Sequence, residues 1–515
     1  MRTRALPLLA ALCVAPSAAF AQPAPHPVFR VTLAADTALT HGAPVSGRLI
    51  VLMTRKRPAN SGQPLAPGLD VEETWVAARE VVGLVPGASV EIDADSLAAP
   101  HRFSEMPAGK RWVMALLDVD HNANWTFSSA GDLLSAVDSI DAAGTRGAPT
   151  PLALTRVKPL LRFAGDDSRI FPVELPSPLL SAFHHRPIAL RAAVVLPPDS
   201  EAIATPAGPR FRAVYHVPGW GGTWRFAYAY GRRQVEKMRE GGERGAAHVF
   251  LDATFPTGHT VFANSANNGP WSDALMRELA PYLEQRYGLI PEARARYLMG
   301  HSSGGWASLW LQVNYPGFFG GAWATSPDPV DFGDFLGIDV RPGSRDNFYR
   351  SADGTARGFV RAGGRDVETM EQSARMEEVL GSGGQMESFE AVFGPRGADG
   401  RPVRLFDRET GRMDPAVQRA WQAYDIVALL RRHWPTLGPR LAGKLHVLVG
   451  GADTYHLDGS TRRLCAFLAS TGSDAPCEVV PGRGHFDLQD PYTTFPNGLE
   501  YRFGGEMQRR FDSGN

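Results

Sequence analysis

Two patterns of apolar residues divide this chain. Between residues 27 and 157 the apolar positions come in short β-branched or aromatic runs separated by turn residues, as at 29–33, 47–52 and 111–117. Such runs predict antiparallel strands, and a small β-sandwich is the simplest way to bury them. From residue 188 onward apolar runs alternate with longer stretches of helical character. That alternation predicts an α/β domain, with a mostly parallel sheet covered by helices on both faces.

The pattern also gives the extents of the predicted parts. The β-rich domain is expected at 22–160, a proline-rich linker at 161–187 and the α/β domain at 188–515. Weak alternation with many Gly, Arg and Asp residues at about 329–413 predicts a lid-like insertion. The strands of the α/β sheet are predicted at 188–196, 211–217, 247–251, 295–299, 321–325, 445–449 and 478–480, with long helices at 271–287 and 418–434.

The first 21 residues have the character of a secretory signal. Arg2 and Arg4 precede an apolar core at 6–14, and Ala19-Phe20-Ala21 suits a cleavage site that would leave Gln22 first. We therefore expect a periplasmic or secreted protein. In that oxidising setting Cys465, on a predicted helix, is expected to form a disulfide with Cys477 at the start of the next strand. Two buried free thiols are the alternative.

Charge excludes some partners. The net charge is −1 and charged residues make up 21% of the chain, without a basic stripe, so no nucleic-acid partner is expected. One segment has oxygen ligands at alternate positions, beginning with Asp118 and Asp120 and continuing through Asn122 and Asn124. It could bind calcium, but it lacks the glycine and glutamate of a calcium loop. A turn whose side chains satisfy their own backbone is the other interpretation.

The most informative motif is Gly300-His301-Ser302-Ser303-Gly304. It lies between a predicted strand and a predicted helix, where a nucleophile elbow holds its serine in a strained backbone conformation. Small neighbours allow the strand and the helix to approach closely. Ser302 is therefore the candidate nucleophile.

Two further strand ends carry suitable partners. Asp453 follows the strand at 445–449 and His485 follows the strand at 478–480. Carboxyl ends of parallel strands gather at one edge, so the three residues can meet. His485 would accept the proton of Ser302, and Asp453 would orient the imidazole. Asp458 is an alternative acid and His456 an alternative base.

Other positions complete the predicted site. The backbone N–H of Ser303 and that of Trp220 or Gly221 are expected to bind the oxyanion, because glycines in the loop at 218–222 let the backbone approach a ligand. Amides beside an aromatic ring suggest that Asn267, Asn268 and Trp271 contact substrate. An ordinary turn with a core tryptophan explains those residues equally well.

Residues 211–323, together with the segments around Asp453 and His485, resemble the putative esterase family of α/β-hydrolases, the enterochelin esterase-like and esterase D-like proteins. The motifs that carry the resemblance are the 218–222 loop, the helix at 271–288 and the 300–304 pentapeptide. Pro218 stands where many relatives have a histidine. The resemblance implies hydrolysis of a small-molecule or glycan-linked ester without metal or cofactor. An acyltransferase, a serine peptidase and a non-catalytic binding protein on the same fold remain alternatives.

Overall fold

The computed structural model describes residues 26–58, 64–121, 128–145, 148–160, 168–198, 210–239, 245–488, 490 and 499–514. The predicted signal peptide, Asn122 and Asn124 lie outside these residues. Within these ranges no helix combines the length and the apolar character needed to cross a membrane.

The N-terminal domain is built on one sheet of nine strands. In sheet order these run β4-β1-β9-β7-β6-β2-β3-β5, and β8 pairs with β6. Their bounds are β1 Val28–Leu33, β2 Val45–Thr54, β3 Thr74–Leu84, β4 Ser89–Asp93, β5 Ala98–Ala99, β6 Lys110–Asp118, β7 Leu133–Ser135, β8 Asp138–Asp141 and β9 Thr150–Val157.

The sheet curves until its two ends meet. Phe29 on β1 contacts Phe103, which follows β5, with ring centroids 6.0 Å apart. Residues of alternating strand positions, such as Leu49 and Val51, fill the enclosed core. The intervening Ile50 and Leu52 are buried too, in a second cluster on the outer face. Both faces of β2 are thus covered, which explains why its sequence shows no polar alternation.

The second domain has an eight-stranded sheet in the order β10-β11-β13-β12-β18-β19-β22-β23. The pairs from β13 to β23 are parallel, whereas β10 and β11 run antiparallel to their neighbours. Its strands are β10 Ile170–Pro176, β11 Ala189–Val195, β12 Arg212–Val217, β13 Ala246–Leu251, β18 Arg296–His301, β19 Gly321–Thr325, β22 Leu445–Gly450 and β23 Cys477–Val480. The predicted α/β-hydrolase fold class, with a β domain before it, is confirmed.

Helices and three short hairpins surround this sheet. The hairpins are β14 Thr254–Phe255 with β15 Gly258–His259, β16 Asn264–Ser265 with β17 Gly269–Pro270, and β20 Gly358–Ala362 with β21 Arg365–Thr369. The helices are α1 Pro178–His184, α2 Tyr230–Arg239, α3 Trp271–Ala274, α4 Ala280–Tyr287, α5 Ser303–Asn314, α6 Met370–Leu380, α7 Gln385–Phe393, α8 Pro415–Trp421, α9 Ile426–Leu441, α10 Asp458–Ser470 and α11 Leu499–Asp512.

The structure corrects two sequence predictions. Residues 170–184 are not a linker, because they form β10, at the sheet edge, and α1. The prolines of this segment fit there, since an edge strand can leave N–H groups unpaired. The single helix predicted at 418–434 is two helices, and Asp425 separates them by capping α9 through the N–H of Ala428.

Candidate active site

Ser302 sits on a tight turn between β18 and α5. Its φ of 58° and ψ of −126° are unfavourable for a residue with a side chain. The flanking glycines are required by space: a Cβ on Gly304 would lie 2.0 Å from the carbonyl oxygen of Val217, and one on Gly300 would lie 2.0 Å from that of Gly304. Both the sequence of this motif and its backbone geometry are therefore typical of a nucleophile elbow.

Asp453 and His485 meet at the ends of β22 and β23. Nδ1 of His485 lies 2.9 Å from Oδ2 of Asp453, and both side chains are buried. Burial alone would raise the pKa of Asp453. The hydrogen bond and charge of His485, with the N–H of Tyr455, outweigh it and hold that pKa below its usual value. An ionised Asp453 accepts the Nδ1 proton, which leaves Nε2 as the basic nitrogen.

The two alternative residues have other partners. Asp458 forms ion pairs with Arg361 at 3.0 Å and Arg462 at 3.3 Å. Nε2 of His456 lies 2.9 Å from Oδ1 of Asp366. The geometry therefore favours Asp453 and His485 over Asp458 and His456, although their catalytic roles stay a prediction.

Ser302 and His485 open into one cavity of about 630 Å³. Aromatic side chains from several elements line it, including Trp220, Phe226, Tyr230, Phe359, Phe389 and Phe486. Much of the lining comes from residues 336–389, inside the predicted insertion. Such a cavity is large enough for a substrate with a bulky apolar group.

Three carboxyl groups also line the cavity: those of Asp328, Glu368 and Glu377. Burial raises the pKa of Glu368 to about 8 and that of Glu377 to about 7. No lysine or arginine stands among the described residues of the lining. Nothing in the local sequence indicates that Glu368 and Glu377 lie in the same cavity as Ser302.

Asp328 contacts Ser302 directly. Oγ of Ser302 donates to its Oδ1 over 3.4 Å, and Oγ of Ser303 donates to its Oδ2 over 2.5 Å. Burial raises the pKa of Asp328 to about 6. Its position three residues after the end of β19 places it at the same end of the sheet as Ser302, and that strand-end position was the only signal the sequence offered.

The predicted oxyanion loop lies beside Ser302. A Cβ on Gly219 would lie 3.3 Å from Cβ of Ser302. Trp220 lines the cavity, and Gly221 has a φ of 75°, open to glycine. Ser303 begins α5, where backbone N–H groups have no partner within the helix. These positions suit the predicted oxyanion donors, which remain a prediction.

His259 stabilises this loop and was missed in the sequence. Its Nε2 lies 2.9 Å from the carbonyl oxygen of Pro218, while its Nδ1 accepts the N–H of Val261. Burial lowers the pKa of His259 to about 4, so it is neutral with the proton on Nε2. A histidine from another part of the chain thus donates to the loop in which Pro218 replaces the histidine of many relatives.

The proposed substrate residues lie elsewhere. The amide of Asn267 donates to the carbonyls of Ala391 and Gly394, and that of Asn268 accepts from Thr257. Trp271 is buried. None of Asn267, Asn268 and Trp271 belongs to the lining of the cavity beside Ser302, and their contact with substrate stays a prediction.

Away from this cavity, the structure groups the carboxyl oxygens of Asp118, Asp120 and Asp132 within 4.8 Å of one another. Burial first and neighbouring acids second raise the pKa of Asp118 to about 6, and burial above all raises that of Asp132 to about 7. The N–H groups of Val119 and Ser129 donate to Asp132. These contacts fit the self-satisfied turn and leave the calcium interpretation a prediction.

The predicted disulfide is present in the structure. Cys465 on α10 and Cys477 at the start of β23 are bonded, with their Cα atoms 5.2 Å apart. The bond therefore joins the helix that follows Asp453 to the strand that leads to His485.

Comparison with known proteins supports the assignment of the second domain. Residues 190–433 match the model of the family described as "Putative esterase". This region belongs to that esterase family. The match includes Ser302, the predicted oxyanion loop and the cavity-lining insertion, and it shows that the esterase region is a carboxylic ester hydrolase. None of the curated proteins matches this chain.

Several solved structures are similar at low identity. A ferulic acid esterase is 13% identical and has a TM-score of 0.41, over 68% of this chain and all of its own. The fluorophosphonate-binding serine hydrolase F of Staphylococcus aureus is 13% identical at a TM-score of 0.38, over 66% and 98%. An S-formylglutathione hydrolase from Agrobacterium tumefaciens is 15% identical at 0.37, over 66% and 95%. At these values the likeness assigns neither a substrate nor residue roles to this chain.

Proposed function

We propose that the protein is an exported serine hydrolase that cleaves carboxylic esters through an acyl-enzyme. The observation that carries the proposal is the buried His485–Asp453 pair, 2.9 Å apart, in the same cavity as Ser302 on its strained elbow. Esterase-family membership supports the same reaction. Each residue has the chemistry that its role needs.

The reaction has two balanced halves. Oγ of Ser302 attacks the ester carbonyl while Nε2 of His485 takes its proton, and the imidazolium then protonates the departing alcohol. Water next attacks the acyl-serine and gives a proton to His485, which returns it to Oγ as the carboxylic acid leaves. Asp453 stabilises the imidazolium in both halves. The N–H groups of Ser303 and of Trp220 or Gly221 would bind the oxyanion.

The cavity restricts the charge of the substrate. Its described lining carries three carboxyl groups and two histidines, His301 and His485, but no lysine or arginine. A carboxylate or phosphate on the substrate would be desolvated beside acids without a compensating cation. We therefore propose esters that are neutral or cationic and carry a bulky apolar or aromatic group. If the substrate is selected by charge in this way, kcat/KM for a neutral ester should exceed that for its succinate-type analogue by about tenfold or more.

The first test is labelling with a fluorophosphonate followed by peptide mass mapping. The expected adduct lies on Ser302, with none in Ser302→Ala as the matched control. An adduct elsewhere, or none in folded protein, contradicts the proposal and favours a non-catalytic binding protein. A panel of ester, thioester and amide substrates then separates an esterase from a peptidase. Added alcohols that capture the acyl group in preference to water would identify an acyltransferase instead.

Export is the finer part of the proposal. The basic and apolar start of the chain and the Cys465–Cys477 bond both support it. The mass of the protein recovered from the periplasm or medium should correspond to a chain beginning at Gln22. Full-length protein confined to the reducing cytoplasm would contradict export without affecting the proposed chemistry.

A further inference from the structure

The cavity beside Ser302 has a wall that comes from the other domain. Pro67, Gly68, Leu69 and Val71 line it, and all four lie between β2 and β3 of the β domain. We call residues 67–71 the wall segment. Nothing in the reaction chemistry requires a second domain at this place, so its presence calls for a role.

The wall segment has a defined conformation. The carboxylate of Asp70 accepts the N–H of Glu72 and caps the short helical turn that begins at Val71. Val71 is buried, whereas Leu69 is 44% exposed. A large apolar side chain that remains this exposed while lining a cavity has contact area available for a ligand.

The β domain is held firmly against the insertion. Met376, Val379 and Leu380 of α6 share an apolar cluster with Ile50 and Leu52 of β2. Met376 and Leu380 also line the cavity. One helix therefore packs against the β domain and forms part of the substrate cavity.

Polar contacts fix the same interface. The guanidinium of Arg48 donates to the carbonyl of Glu378 at 2.7 Å and to that of Val379 at 2.9 Å. A cation at the C-terminal end of α6 also interacts favourably with the helix dipole. The amide of Gln372 donates to Oε1 of Glu72, next to the wall segment, at 3.0 Å. Apolar and polar contacts both hold α6 against the β domain. The position of the wall segment relative to Ser302 is therefore determined by the fold.

We infer that the β domain forms the outer wall of the substrate site and that Leu69 contacts the bulky group of the ester, so that its volume selects which esters fit. This inference rests on the proposed esterase function. It assigns the β domain a role in specificity.

The test varies the side chain at position 69 and the size of the substrate. Leu69→Trp fills the cavity and should lower the ratio of kcat/KM for p-nitrophenyl octanoate over p-nitrophenyl acetate about tenfold. Leu69→Ala widens the cavity and should shift the preferred acyl chain to longer lengths. Acetates of small and large alcohols provide a second series, and a size-dependent effect in either series supports the inference. Val82→Trp, on a side chain of β3 that is 88% exposed, is the matched control.

The two substitutions should move the size preference in opposite directions, which a general loss of stability cannot do. Equal effects on small and large esters in both series, or effects no larger than those of Val82→Trp, would overturn the inference. Binding of uncleaved p-nitrophenyl octanoate in a Ser302→Ala background separates it from the proposed function. Weaker binding after Leu69→Trp would support the wall even if the wild-type protein hydrolyses nothing, and unchanged binding would refute it.

Discussion

Removal of the Cys465–Cys477 bond should lower the stability of the catalytic domain by an amount that follows from loop length. The two cysteines are 12 residues apart in sequence. In the chain-entropy model, closing a loop of this size stabilises the folded state by about 3 kcal/mol. At about 2.1 cal/mol/K of unfolding entropy per residue, a domain of roughly 350 residues should lose about 4 °C in Tm.

Calorimetry on the oxidised protein, the reduced protein and the Cys465→Ala/Cys477→Ala variant measures this loss. The reduced protein is the control for the packing changed by the substitutions. Several scan rates are needed, because a large domain can unfold irreversibly. The bond links the helix after Asp453 to the strand before His485, so kcat should fall severalfold while KM changes little. An unchanged Tm after proven reduction, or two free thiols in native protein from an oxidising compartment, would refute the reasoning.

Three further predictions concern the site. Ser302→Ala should lower kcat on the order of a million-fold, and appreciable residual turnover of a p-nitrophenyl ester would point to another nucleophile. Asp453→Asn should lower kcat about ten-thousand-fold, whereas Asp458→Asn should cost less than tenfold, and the reverse order in steady-state kinetics would reassign the acid. Glu368 and Glu377 have pKa values raised by burial, so their ionisation lowers the free energy of unfolding as pH rises from about 5 to about 8. A variant with glutamine at both positions should lose less stability over that interval, by a few kcal/mol in denaturant titrations, and parallel pH profiles would contradict this.

Much of the α/β sheet could be predicted from the sequence, because its strands are buried on both faces. The predicted strand at 321–325 has the bounds of β19, and that at 445–449 stops one residue short of the end of β22. The edge strand β10 was not predicted, because the prolines in its sequence are typical of a linker. Local sequence does not show that a strand needs hydrogen bonds on one side only.

From the sequence, residues of the candidate site could be predicted only where they follow a recognisable strand. Ser302, Asp453 and His485 each follow an apolar strand, and the structure brings all three to one edge of the sheet. Asp328 follows β19 but has no motif around it, and His259 has neither signal. Their importance comes from contacts with Ser302 and with the carbonyl of Pro218, and these contacts depend on how distant segments pack.

The insertion is better described as a fixed part of the site than as a lid that swings open. Arg361 on β20 donates to the carbonyl of Asp453 at 2.7 Å and pairs with Asp458. Further along the insertion, Arg48 of the β domain donates to carbonyls at the end of α6. Moving the whole insertion would break both sets of charge-assisted contacts and expose the cluster that α6 shares with β2. Loss of the Arg361 contacts would also release the loop that carries Asp453. Substrate entry by small movements of lining side chains is therefore favoured over opening of the insertion as a unit.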